Sequence, residues 1–277
     1  MGRQKKVNPR RPQTVIEATI RLIHIPTTLS GGEFQHIAGA TFSASGIKQL
    51  FEPGVEADLI IQDPNLCKTT PSSLWIGSGV RSLDHCIEAI CSLHRTDAGN
   101  RTAKIGLEIL LPGLLTCKHE PENAEARSLC QQGIVHAVSA MRSGIPLGAS
   151  HAIGYQLGPL GVGHGETSCV LLPAVCKFNA AHKVNLKQQE ECLEILCREQ
   201  KVSELLQAHG TLNPDLGDVL DLIIRELGMP RSLREVNVSR EKFDKLAENT
   251  LHDPWAKTNP FPLTTKAQVL EILSMVA

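Results

Sequence analysis

The sequence predicts a mainly α protein, with an antiparallel helical domain over residues 66–277, a small mixed α/β segment over 21–65 and a disordered basic tail over 1–20. Three observations carry this reading. Apolar residues recur at helical spacing from Thr70 onward. Helix start and stop signals punctuate that stretch, and only short β-type runs ended by turn residues precede it.

The tail is read from charge: Arg3, Lys5, Lys6, Arg10 and Arg11 lie together, with no apolar stretch behind them to make a secretory leader. In the α/β segment, Arg21 to Pro26 reads as a strand ending in the turn Thr27-Thr28-Leu29-Ser30-Gly31-Gly32. Ala57 to Ile61 reads as another that stops at Asp63-Pro64. Thr70-Pro71 reads as a cap followed by a first-turn proline, opening a helix that runs through Ile90. Asn185 with Gln188 marks a start before Leu193, Leu196 and Cys197.

Asn213-Pro214 opens a helix with Leu216, Val219, Leu220, Ile223, Ile224 and Leu227 on one face, stopped by Gly228 and Pro230. In the last helix Thr265 and Gln268 suit a capping box, and Val269, Ile272, Leu273 and Val276 make a stripe at helical period.

Composition narrows the function. Lys and Arg total 28 against 29 Asp and Glu, so no global field draws the chain to nucleic acid or an anionic membrane, and the expected partner is a small molecule. No apolar run reaches the length that spans a bilayer, and the expected location is cytoplasmic. Nine cysteines without a C-x-x-C pair argue against a disulfide framework or a zinc ribbon. A homodimer is compatible with the sequence.

Arg81, His85 and Glu88 fall at i, i+4 and i+7 and so share one helix face. A second cluster runs from Ser150-His151 through Tyr155 to Gly158, and a third holds His164-Gly165-Glu166. Imidazoles from three places suit either a divalent metal or an anionic or carbonyl substrate. The glycines at 158, 161 and 163 shape a turn, since they do not follow a strand as a phosphate loop would.

From about Ile25 to the C-terminus the chain resembles the iron-containing alcohol dehydrogenases, whose helical domain is of the dehydroquinate synthase-like type. Thr27 to Glu33 is similar to that family's TT-x-[ST]-G-[ST]-E turn, and Ile60 to Pro64 to its strand ending in Asp-Pro. Ser78 to Glu88 resembles the G-x-D-A-x-x-H-x-x-E helix, His151 to Gly158 the H-x-x-x-H-x-x-G segment, and His164-Gly165 the HG motif. Leu171 to Asn179, Gly228-Met229-Pro230 and Asn259-Pro260-Phe261-Pro262 resemble later landmarks.

The resemblance implies an NAD(P)H-dependent oxidoreductase, with Thr27, Thr28 and Ser30 at the cofactor. It implies catalytic work for Arg81, His85, His151, Tyr155 and His164. If a metal is bound, His85, His151 and His164 would be its ligands. Arg81 stands where metal-dependent members have an acidic ligand, so iron or zinc is not expected, and the maleylacetate reductase-like branch, with its carboxylated ketone or enone substrates, fits better. Tyr155 replaces the second histidine of its motif.

Full-length relatives carry most of a dinucleotide domain and its phosphate loop before the TT turn, and residues 21–65 correspond to a remnant of it. Two alternatives stay open: a non-redox enzyme reusing the helical pocket for dehydration, isomerisation or cyclisation, and an inactive truncated copy.

Overall fold

In the computed structural model the described residues are 20–35, 38–41, 43–44, 48–51 and 57–277. The expected tail thus lies outside them except for Ile20. Among the described residues, β1 (Ile23–His24) pairs in parallel with β4 (Leu59–Ile60), in the register Ile23 to Leu59. A separate antiparallel ribbon joins β2 (Ala38–Thr41) to β3 (Lys48–Phe51).

Asp63 does more than end a strand, because its carboxylate accepts from the backbone N–H of Asn65 and Leu66 and caps the short helix α1 (Pro64–Cys67). The predicted cap at Thr70 is displaced. Helix α2 (Ser72–Cys91) starts after Pro71, while the Thr70 hydroxyl donates to the Thr27 carbonyl at 2.7 Å and ties the preceding turn to the helix entry.

Helix α2 lies at the centre. It packs against α3 (Asp97–His119), α4 (Ala124–Arg142), α6 (His164–Ala181) and α7 (Leu186–Arg198), and α3 and α4 form a tight hairpin. Asn185 sits at the start of α7 as expected. Its side chain is spent on the Cys91 carbonyl and on Gln189, so it binds α2 to α7 instead of capping.

Helix α8 (Gln200–Ala208) follows, and α9 (Leu216–Glu226) begins two residues later than Asn213-Pro214 suggests. Asn213 is in the left-handed region, and Asp215 caps the helix reciprocally with Asp218. Gly228, with φ +70°, ends this element as predicted. Helices α5 (Ala149–Leu157), α10 (Phe243–Thr250) and α11 (Lys266–Met275) complete the domain, and Thr265 and Gln268 form the expected capping box.

Two apolar cores result. The larger joins α2, α3, α4, α7 and α9, and the smaller joins α5, α6, α10 and α11. The sides of α2 and α6 meet closely where a Cβ on Gly165 would lie 2.3 Å from the Gly77 carbonyl carbon, a separation only glycine tolerates. That contact seats the first turn of α6 against the polar face of α2. All nine cysteines are free, and eight are buried.

Candidate active site

Helix α2 supplies a polar stripe, Arg81, Asp84, His85 and Glu88, all buried. Glu88 holds α5 in place. One carboxylate oxygen accepts from the Ser150 N–H at 2.9 Å and the other from the Gly148 N–H at 2.8 Å, while Asn259 Oδ1 accepts from Ala149. Because Gly148 has no side chain to cap α5, these groups satisfy orphan amides that would otherwise be buried unpaired. His151, in the first turn of α5, then places Nδ1 2.8 Å from Glu88 Oε2.

Arg81 is 1% exposed. Its Nη1 donates to the hydroxyls of Thr167 and Ser168, each at 3.1 Å, and its Nε has no partner. Among the described residues no carboxylate is within ion-pairing distance of it. Asp84 is linked to it indirectly: Ser168 Oγ donates to Asp84 Oδ2 at 2.6 Å, and Ser150 Oγ donates to the same oxygen at 2.7 Å.

Electrostatics follow from this burial. Desolvation pushes Glu88 up to about 7 against the pull of two backbone amides, and it raises Asp84. His151 is held down to about 3, first by burial and then by the Arg81 charge, and His85 is also held well below its usual range by burial. His164 is held down to about 2, with the Arg81 charge as the largest cause. The imidazoles are therefore neutral. With Nδ1 anchored on Glu88, His151 presents Nε2, which is buried and unpartnered, as an available lone pair.

The five predicted catalytic side chains come together. The His85 and His151 rings stack at 4.7 Å, Tyr155 meets His164 edge-on at 6.4 Å, and Arg81 acts electrostatically on all four. Burial raises the Tyr155 phenol. Its ring packs edge-on against Trp255 at 5.1 Å and lies 4.5 Å from the ammonium of Lys48, which burial holds below its usual range. Burial likewise pushes Asp253, which caps the turn bearing Trp255, up to about 7.

Do these residues fit a divalent metal? The unpartnered nitrogens of His85 and His151 are suitable donors, but the guanidinium beside them supplies no lone pair and repels a dication by several kcal/mol in a dry site. Asp84, Glu88 and His151 offer ligand atoms within 4.8 Å of one another. Those atoms are already engaged: Glu88 takes His151 Nδ1 at 2.8 Å and the amides of Gly148 and Ser150, and Asp84 Oδ2 takes the hydroxyls of Ser150 and Ser168. The cluster does not fit a metal centre.

The predicted cofactor turn is docked on the same helix. The Leu29 N–H donates to Ser78 Oγ at 3.0 Å, and the Ser82 hydroxyl donates to the Leu29 carbonyl. Gly31, with φ +70°, closes the turn where a Cβ would meet Val138 at 2.6 Å. Thr28 Oγ1 donates to Ser30 Oγ, and Thr27, Thr28 and Ser30 are half-buried.

Sequence reasoning missed Asp84, Thr167, Ser168, Lys48, Asp253 and Trp255. Only Asp84 had a visible signal, since it lies three residues after Arg81 and four before Glu88 on the same stripe.

Residues 75–277 match the C-terminal domain of the Fe-containing alcohol dehydrogenase family. The chain is 38% identical to the dehydrogenase ALT3 of Alternaria alternata, over 95% of this chain and 73% of that protein. It is 36% identical to the dehydrogenase FUM7 of Gibberella moniliformis, over 96% of this chain and 66% of that one. The crystal structure of maleylacetate reductase from Agrobacterium tumefaciens superposes with a TM-score of 0.72 at 23% identity, covering 92% of this chain and 67% of that one.

Proposed function

The chain belongs to the iron-containing alcohol dehydrogenase family, and from that premise we propose that it is an NAD(P)H-dependent oxidoreductase acting on a small carboxylated ketone, enone or alcohol without a catalytic metal. The observation that carries this reading is Arg81, a fully buried guanidinium with only hydroxyl partners and an unpaired Nε. A buried cation left in that state is costly in the free protein, and a ligand carboxylate would complete its shell with charge-assisted bonds. The names of the relatives support the reading at two levels: two are dehydrogenases, and a third acts on maleylacetate, a carboxylate.

In this account Arg81 binds and orients the acid group. The Tyr155 phenol is the proton donor to a substrate carbonyl oxygen and takes the same proton back in the opposite direction, while His151, anchored through Nδ1 on Glu88, offers Nε2 as a hydrogen-bond acceptor that orients the substrate hydroxyl. His85 and His164, held in the neutral form, add no charge of their own, and burial of the cluster keeps water from competing for the polar groups. Thr27, Thr28 and Ser30 would hold the nicotinamide end of the cofactor, which when bound supplies or takes the hydride.

The test is fluorescence titration of the purified chain with NADH and NADPH, together with elemental analysis. Saturable cofactor binding without stoichiometric metal is expected. Stoichiometric iron or zinc that disappears in His151→Ala or His164→Ala would overturn the metal-free part, and absence of any cofactor binding would overturn the redox part.

A further inference from the structure

Arg81 raises a question that its ligand role does not answer: what holds a bare guanidinium in position before substrate arrives. The residues touching it, Thr167 and Ser168, are neutral hydroxyls on α6. A hydroxyl that receives an N–H bond on its oxygen can still pass its own proton onward. Ser168 does this, donating to Asp84 Oδ2, and the Ser150 hydroxyl from α5 converges on the same oxygen. An oxygen that accepts two hydroxyl protons uses the acceptor capacity a carboxylate offers, and His151 Nδ1 lies 3.5 Å from the same oxygen. Three helices therefore meet at one carboxyl group, which is fully buried and whose other oxygen, Oδ1, has no partner.

We propose that Asp84 is the resident counterion and positioning residue of Arg81, acting through Ser168, so that the guanidinium stays aimed at the pocket with Nε free while no carboxylate occupies that edge. Asp84 lies one helical turn from Arg81 along α2 and faces α5 and α6. A direct ion pair would have used the edge of Arg81 that a ligand needs. The serine relay spares it.

The inference rests on the reading of Arg81 as an anion binder for its purpose, but its test does not depend on catalysis. Arg81→Met, Asp84→Asn and the double variant form a cycle read by thermal unfolding of the full chain. Each single change strands one buried charge and is expected to lower Tm by about 10 °C, while the double variant recovers most of that loss. Losses that simply add would overturn the proposal. If Asp84→Asn alone does not fold, the double variant decides: it folds if Asp84 serves Arg81 and stays unfolded if Asp84 is only a core residue.

A second readout separates positioning from general damage. Malonate titrated calorimetrically should bind about threefold or more tighter to folded Asp84→Asn than to the unaltered protein, because the competing resident anion is gone. It should bind more weakly to Ser168→Ala, which keeps the charge but cuts the relay. Weaker malonate binding in both variants would mean that Asp84 only shapes the site. A coupled cycle without malonate binding to any variant would keep the counterion assignment and sink the carboxylate reading instead.

Discussion

The α3–α4 hairpin and the seam where α2 meets α5 and α6 are both deeply buried, yet they are built on opposite rules. The hairpin interior is filled by Leu107, Leu110, Leu111, Leu114, Ile134 and Val138, and its one buried side-chain polar atom without a partner is Asn100 Oδ1. The seam carries Arg81 Nε, Asp84 Oδ1, His85 Nδ1 and His151 Nε2, all buried and unpaired. Each such group costs about 1–3 kcal/mol. The unpaired groups gather in the seam and not in the adjacent core, and in the proposed function they are the ones a ligand would satisfy.

That contrast can be broken in order of expected effect. Gly165→Val sits inside the seam but acts purely through packing, because its side chain would strike the backbone of Gly77. It should cost about 4 kcal/mol in urea unfolding. A cost under 1 kcal/mol would show that the α2–α6 contact is soft and that the seam geometry is less fixed than described.

Leu110→Ala in the hairpin should cost about 3 kcal/mol of stability and leave malonate affinity unchanged in the folded protein. A change in affinity would mean that the two regions are coupled, against the contrast drawn here.

Asp253 sharpens the comparison through pH. Its folded value of about 7 lies above its unfolded value of 3.8, so the folded state binds the extra proton between them. The stability this contributes is fully present below pH 3.8 and is lost as pH rises through 7. Asp253→Asn, which keeps an acceptor for the Trp255 N–H, escapes that loss. Relative to the unaltered protein its stability should improve by about 2 kcal/mol between pH 4 and pH 8. A difference that is flat with pH in denaturant titrations would reject the burial cost assigned to this carboxylate.

The smallest effect is at the C-terminal helix, where Thr265→Ala removes a cap outside both regions and should cost about 1 kcal/mol, read as a shift in urea midpoint. Any loss of ligand binding there would be unexpected.

Much of the helical frame was legible because caps and apolar stripes are local. Thr265 with Gln268, and the stop at Gly228, behave as their sequence suggests. Thr70 and Asn185 show where local reasoning fails: both have the right chemistry for a cap, but long-range acceptors, the carbonyls of Thr27 and Cys91, take their side chains. The site divides the same way. The face shared by Arg81, His85 and Glu88 follows from helix period, whereas the part played by Ser150, Thr167 and Ser168 exists only once α5 and α6 are docked. Glu88 could be placed on the stripe, but its work as the cap of α5 depends on Gly148, sixty residues away in the chain.

The most direct test of the central claim is the ratio of kcat/KM for a keto acid to that for its uncharged methyl ketone analogue, measured with NADH in the presence of a chelator, for the unaltered chain and for Arg81→Met. The account predicts a strong preference for the acid, untouched by the chelator, that collapses by roughly a hundredfold or more in Arg81→Met while the uncharged ketone is little affected. A preference that survives the substitution, or a rate that returns only on adding iron or zinc, would contradict it.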